Sequence, residues 1–557
     1  MLSLPYRWRG GLPLKVLIVT FVLVYCFWFL NAALAKTESP TGDPSFRKPS
    51  HSLPPHNALG DSPIRGDGED SIASVAQVLQ DIFALLPDEA DRKDLIEPMQ
   101  ETGDAKIREL GARARVFKAF LEAWEALHLK LPSSSTPGPI FVREDTLAYL
   151  QRHRDAFAAR LAMDPPDLIH AYDEARTFLT QLSTALFDWT QPYFGPLINL
   201  HTEFPTGGRG LVFTAGNGQA VYLLTSIQSL RRLGCTLPVE VLYLGTEDLG
   251  EKYRKQLEAI PGVVTRDLRP MIDDEGWTLR GWAAKPFAIL LSSFREVILI
   301  DADSLFFTDP AALLEEPAYR RTGALFFYDR IFAPTMERRP WLKNLLPAPV
   351  SQSMRKNRFW TGLSSHMQES GVVVVDKWRH FAAMLLVTRL NGPDRDGDKD
   401  AGRPGVYDMV LGDKETFWLG WELIGDTQYA FHEGGVATMG PLEVGDKKEK
   451  EEEEEKEKED TQYTVCGAQV LHLDRAGRPL WFNGWLFPKV SGERHPVHFE
   501  SFIPEPPDVA GDGHYGIRPS NVFCLASKHI SNFTSAEKAM LNETIELAEA
   551  LGAFGTD

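Results

Sequence analysis

Positive charge is what this 557-residue chain most lacks: 59 Lys and Arg stand against 77 Asp and Glu, a net charge of −18. No basic patch is at hand to neutralise a phosphate backbone, which argues against nucleic acid as a partner. Cysteine is scarce too. Of the four, Cys26 sits in an apolar run, while Cys235, Cys466 and Cys524 allow one disulfide and one free thiol. That is too few for a disulfide-stapled scaffold. Part of the acidity is local: residues 446–460 hold ten acids and five lysines and read as a solvated surface insertion. Residues 392–404 carry spaced Asp but lack the ligand order of a calcium loop, and read as a polar surface loop.

What is present is a globular composition, 43% hydrophobic and 11% aromatic, enough for a sizeable core in a large domain with appendages. Residues 16–35 open with an almost wholly apolar stretch, Val16 to Leu34, close to the ~20 residues that span a bilayer. Arg7, Arg9 and Lys15 precede it, so residues 1–15 are expected in the cytosol and everything after Lys36 on the far side of the membrane. Ala33-Leu34-Ala35 also fits a signal-peptide cleavage site. Both readings put the body of the chain in the secretory pathway, and the uncleaved anchor is favoured. The acceptor triplets at Asn532 and Asn542 agree with that address.

Residues 36–70, rich in Pro, Ser, Gly and Asp, read as a flexible tether. From about 71 to 200 apolar residues recur three or four apart, as in VAQVLQDIFALL and ARVFKAFLEAWEAL, which predicts a helical stem. From residue 205 to about 500 strands and helices alternate, and a mainly parallel, Rossmann-like α/β sheet covered on both faces is expected. Residues 501–557 are left as a carboxyl-terminal tail.

The chemistry concentrates at strand ends. Val297-Ile-Leu-Ile300 is a buried strand that stops at Asp301-Ala302-Asp303, where open α/β sheets bind ligands. Both carboxylates lie on one side of the strand, and two hard oxygen donors suit Mn²⁺ or another divalent cation bridging to a diphosphate. Thr214, Gly216 and Asn217 stand at the turn after the first strand, before a helix amino terminus that favours anions. Lys285 precedes Asp301 by sixteen residues and is placed to pair with the carboxylates or with a phosphate. Glu369-Ser370-Gly371 is expected just before the strand Val372–Val375. Gly412-Asp413-Lys414 opens a helix whose Phe417, Trp418 and Trp421 read as core rather than as a sugar platform. His472 lies on a short strand followed by Gly477, Pro479 and Trp481.

In that order these pieces resemble the metal-dependent, retaining nucleotide-sugar transferases of the GT-A fold. The wording of GRGLVFTAGNGQAVYLLTSIQSLRRLG, AAKPFAILLSSFREVILIDADSLFFTDP, QESGVVVVDK and GDKETFWLGWEL, within roughly residues 205–490, is similar to the fungal α-1,3-mannosyltransferases of glycosyltransferase family 71. The resemblance implies a Golgi type II membrane enzyme with a lumenal catalytic domain. Its donor would be GDP-mannose and its acceptor a glycan on glycoprotein or glycolipid. Asp301, Asp303 and His472 would be the Mn²⁺ ligands, Thr214, Gly216, Asn217, Lys285 and Asp301 the donor contacts, and Glu369 or Asp413 the carboxylate at the reacting centre. A UDP-sugar donor and a non-catalytic carbohydrate-binding protein are the alternatives. Two departures stand out: Glu369 occupies a position where the class has Asn, and the spacing from His472 to the next glycine is longer by one residue.

Overall fold

The computed structural model describes residues 72–130, 141–142, 146–190, 197–398, 400, 402–444, 463–486, 496–505, 515–518 and 522–554. The expected anchor and tether at 16–70 and the acidic insertion at 446–460 lie outside the described residues. Among those described, no helix is long and apolar enough to cross a membrane.

Eight strands frame the site: β1 Arg209–Thr214, β2 Val239–Tyr243, β3 Val263–Asp267, β4 Glu296–Ile300, β5 Ser304–Phe306, β6 Ala324–Tyr328, β7 Gln368–Asp376 and β8 Ala430–Phe431. All but β5 form a seven-stranded sheet in the order β8-β6-β7-β4-β1-β2-β3. The pairs β1/β2, β1/β4, β2/β3 and β6/β8 are parallel, and β7 runs antiparallel between β4 and β6. A sheet buried on both faces needs apolar side chains at odd and even positions alike, and β4 and β7 supply them. Val297 to Ile300 and Val372 to Val375 are all fully buried. Val297, Leu299, Val373 and Val375 join one apolar cluster, while Ile298, Ile300, Val372 and Val374 join the other. Each such buried side chain contributes roughly 1.5–3 kcal/mol relative to exposure.

Helices close both faces. The second cluster packs under Leu223, Leu224, Ile227 and Leu230 of the helix Ala220–Arg232. The first takes in Ala284–Leu291, Phe381–Asn391 and Thr416–Ile424, together with helices from the amino-terminal part of the chain. This corrects the expected stem. The helices Gly103–His128 and Pro165–Leu186 do form where the periodicity predicts, but Phe117, Leu121 and Phe178 share one core with the sheet and with Trp418 and Trp421. An apolar stripe of that width must be buried against something, and here the something is the sheet's own helical layer.

The expected tail also differs. Ser501–Pro504 pairs antiparallel with Val436–Gly440 in a six-stranded sheet that includes Val470–Leu473, Pro479–Asn483 and β5. The last helix, Ser535–Ala550, buries Leu541 and Ile545 in that sheet's core. Cys466 and Cys524 form a disulfide joining Tyr463–Gly467 to Val522–Ser527, and Cys235 is free and buried.

Candidate active site

The carboxyl end of β4 and the edge of the second sheet meet at a cavity of about 530 Å³ lined by Lys285, Asp301, Asp303, Asp329, Glu369, Asp413 and Lys414, among others. Five of its lining carboxylates face three cations, Lys285, Arg330 and Lys414. The aspartate pair arrives as the sequence predicts. Strand β4 ends at Ile300, the backbone turns with Ser304 N–H donating to Asp301 O at 3.0 Å, and β5 then enters the other sheet. A ligand in this cavity therefore sees both sheets.

Lys285, in the first turn of Ala284–Leu291, donates to Asp301 Oδ2 at 2.9 Å and to Ser370 Oγ and O at 3.2 and 3.3 Å. Its Nζ lies 3.4 Å from Asp413 Oδ2, an atom that is buried and makes no hydrogen bond. Burial alone would lower the Lys285 ammonium, but Asp301 and Asp413 outweigh it and hold it above its ordinary range. Asp301 is pushed up to about 7, first by burial against the pull of Lys285, then by its neighbours Asp303 and Asp413. Asp301 and Asp413 share one ammonium here, with Asp303 near enough to raise Asp301, and a bound cation is the natural complement of carboxylates gathered in this way.

A second ammonium lines the same cavity. Lys414 Nζ donates to Asp329 Oδ2 and Glu369 Oε2, each at 2.8 Å. Burial would raise both carboxyls, but Lys414 overcomes it and holds both below the usual range. The other oxygen of Glu369 accepts from Gly371 N–H at 2.9 Å and Asn483 Nδ2 at 3.0 Å. Glu369-Ser370-Gly371 thus lies inside β7 rather than before it. Gly371 permits this, since a Cβ there would sit 2.9 Å from Asn483 Nδ2 and 3.1 Å from Ser304 Oγ.

Not every predicted ligand reaches the cavity. His472 is only 2% exposed, stacks on Trp481 with ring centroids 3.9 Å apart and does not line the cavity. Burial pushes its imidazole down to about 3. A register shift between His472 and Leu473 falls in this hairpin, the stretch where the spacing to Gly477 is one residue longer than the resembling pattern. Among the described residues no three His, Cys, Asp or Glu come together as a metal cage, so the expected Asp301–Asp303–His472 triad is not assembled. Asp301 and Asp303 line the cavity and offer oxygen donors that suit a divalent cation with further ligands from substrate or water; His472 stands outside that lining, with Nε2 buried and making no hydrogen bond.

Thr214, Gly216 and Asn217 are likewise outside the cavity lining. Asn217 is used up by a loop contact: its Nδ2 donates to Glu247 O at 3.0 Å and its Oδ1 accepts from Gly250 N–H at 2.8 Å. A strand-to-helix turn that ties down a neighbouring loop carries the same residue types as one that binds an anion, and the two are indistinguishable by composition. The aromatic residues Phe417, Trp418 and Trp421 are fully buried core, as read from sequence. At the acceptor triplets, the Asn532 and Asn542 side chains are exposed, while Thr544 is buried and donates to Met540 O.

Residues 208–474 match a family model described as “Mannosyltransferase putative”. Over this segment, just under half of the chain, the sequence is similar to that family. Alpha-1,3-mannosyltransferase MNT2 of Saccharomyces cerevisiae is 26% identical over 322 residues, covering 52% of this chain and 53% of the relative. Alpha-1,3-mannosyltransferase MNT3 of the same yeast is 26% identical over 332 residues, covering 53% and 50%. The chain thus spans about half the length of these curated relatives. Among solved structures, the Mn/GDP form of core-mannan synthase A from Aspergillus fumigatus aligns with 40% of this chain and 72% of its own at 12% identity and a TM-score of 0.27.

Within the matched segment, sequence reading missed Asp329, Arg330 and His366, and it missed Asn483 just beyond. Asp329 follows the buried strand β6 as Asp301 follows β4, a repeat of the same signal that was available and unused. Asn483 offers no such signal, since it reaches Glu369 only because Pro479–Asn483 pairs with β5 in the register Asn483↔Ser304.

Proposed function

We propose that this chain is a GT-A-type, GDP-mannose-dependent α-1,3-mannosyltransferase that extends glycans of glycoproteins or glycolipids. The observation that carries this reading is the meeting of Lys285, Asp301, Asp303 and Asp413 in one cavity of the matched segment. The resemblance to yeast α-1,3-mannosyltransferases supports the sugar and linkage. The Cys466–Cys524 disulfide supports an oxidising, lumenal setting. The placement proposed is the Golgi membrane, as a single-pass type II protein anchored by residues 16–35, with Asn532 and Asn542 as glycosylation acceptors.

In the proposed reaction the bond between the anomeric carbon and the diphosphate breaks, GDP departs, and the acceptor hydroxyl adds from the same face with its proton passing to the leaving phosphate. Negative charge grows on the diphosphate, and positive charge on the sugar as it gains oxocarbenium character. Lys285 is the cation that meets the first. Asp301 and Asp303 would hold a divalent cation, Mn²⁺ by preference, which supplies further neutralisation of the leaving group. For the sugar, Asp413 keeps a buried oxygen without a hydrogen bond, whereas both oxygens of Glu369 are occupied. Asp413 is therefore the carboxylate that faces the developing charge, and Glu369 shapes the wall.

The test is nucleotide release by the full-length chain across GDP-mannose, UDP-glucose, UDP-galactose and UDP-N-acetylglucosamine, with Mn²⁺ and with chelator, with and without an α-mannoside acceptor. Mn²⁺-dependent turnover of GDP-mannose alone is expected. Turnover of a UDP-sugar instead would overturn the mannose assignment. Silence throughout, with acceptor present, would overturn the enzyme reading in favour of a carbohydrate-binding protein.

A further inference from the structure

Large apolar side chains left in water usually mark a surface that something covers. Among the described residues three of them, Trp282 at 61%, Leu411 at 54% and Ile517 at 53% exposed, line the same cavity as the charged cluster. They come from three separate stretches of chain. Trp282 sits in the short helical turn just before Ala284–Leu291, so Lys285 follows it by less than one turn. Leu411 is two residues before Asp413, and Ile517 lies on Tyr515–Arg518 of the small third sheet.

The indole is braced from one side. Gly412 has φ +64, and a Cβ there would lie 2.8 Å from Trp282 Cε3, so the ring rests where only a glycine leaves room. A pyranose ring has an apolar C–H face and a rim of hydroxyls, and it binds where an open aromatic face stands beside polar groups that reach the rim. The mouth of this cavity has that combination, whereas Phe417, Trp418 and Trp421 are sealed in the core and offer no face at all.

We propose that Trp282, flanked by Leu411 and Ile517, is a stacking platform for a hexose ring of the acceptor glycan. The inference rests on the transferase reading above, because that reading assigns the charged floor of the cavity to the donor's diphosphate and leaves the open rim to the acceptor. Platform and charged cluster line one cavity, so a sugar stacked on the platform shares that space with the reacting centre.

Two measurements on the full-length chain test it. In protein labelled with 5-fluorotryptophan, with the Trp282 resonance assigned by Trp282→Phe, titration with an α-linked mannobiose is expected to shift that resonance saturably, and titration with GDP to leave it in place. A Trp282 resonance indifferent to mannobiose overturns the platform, and one moved by GDP reassigns the ring to the nucleobase and overturns it equally. In transfer assays Trp282→Ala is expected to raise KM for mannobiose about tenfold, with a shift below twofold in KM for the donor and recovery of most of the loss in Trp282→Phe. An unchanged mannobiose KM overturns the proposal. The fluorine readout needs no turnover, so a saturable mannobiose shift in a chain that turns over no donor supports the platform while refuting the reaction.

Discussion

Two ammonium groups, Lys285 buried and Lys414 half-buried, stand on the walls of one cavity, and their surroundings differ. Lys414 bridges Asp329 and Glu369 at 2.8 Å each, Glu369 is completed by Asn483 and the Gly371 amide, and both carboxyls are held below their usual range. Lys285 is shared by Asp301 and Asp413 with Asp303 beside them, Asp413 Oδ2 lacks a hydrogen bond, and Asp301 is raised to about 7. In the first cluster both oxygens of Asp329 and both of Glu369 accept hydrogen bonds. In the second, Asp413 Oδ2 is left without a hydrogen bond and Asp301 is raised towards its neutral form, the condition of a site that binds a cation and a charged substrate. Evolution of a fold around a reacting centre leaves strain of this kind where the ligand goes and closes the networks that only hold shape.

The difference predicts a graded set of outcomes. The largest concerns the open cluster: Asp303→Ala is expected to cut mannosyl transfer by about a thousandfold, the scale of losing a well-placed charge-stabilising group, with the far-ultraviolet circular dichroism unchanged. Near-normal turnover with Mn²⁺ would remove Asp303 from the site. For stability the order reverses. Lys414→Met strands two buried carboxylates already held in their charged form, so urea unfolding should show a loss of about 3–5 kcal/mol. Lys285→Met should cost less, because Asp301 titrates near neutrality and takes up a proton, and Mn²⁺ should restore part of its thermal midpoint. Equal losses for the two lysines, or no Mn²⁺ effect on Lys285→Met, would erase the distinction between the clusters.

A smaller effect should appear in acid. His432 is 3% exposed, and burial, reinforced by Arg475, pushes its imidazole down to about 4. The native state therefore favours the neutral ring. That contribution, on the order of 3 kcal/mol, is present above the unfolded pKa near 6.5 and is lost as pH falls from there towards 4. His432→Asn, which keeps an acceptor for the Gly434 N–H bonded to Nδ1 at 3.0 Å, should flatten the fall in thermal midpoint across that window. An unaltered slope would mean that other groups carry the acid sensitivity.

How much of this was legible in sequence depended on whether the signal was local. The run Val297–Ile300 and its terminal Asp301-Ala302-Asp303 declared a buried strand and a sheet-edge carboxylate pair, and the partner Lys285 lay one helix away. The valines of β7 declared a central strand. Their reach back through Glu369 did not show, because a carboxylate in mid-strand reads as a strand end until Lys414 and Asn483 are known to neutralise it. His472 and the first-strand turn carried the right residue types, but burial against Trp481 and the tie from Asn217 to residues 247–250 are long-range facts. The helices of 72–190 were read correctly as helices and misjudged as a stem, since periodicity tells that a face is buried and not what covers it. The same holds for Ser501–Pro504, whose partner lies sixty residues upstream.

The central claim is that Asp301 and Asp303, with Lys285 beside them, take a nucleoside diphosphate together with a divalent cation. The most direct test is calorimetric titration of GDP into the full-length chain and its Asp303→Ala variant, each with Mn²⁺ and with chelator. The account predicts saturable binding to the unsubstituted chain that needs Mn²⁺ and is lost in Asp303→Ala. Equal binding in chelator, or in the variant, would contradict it.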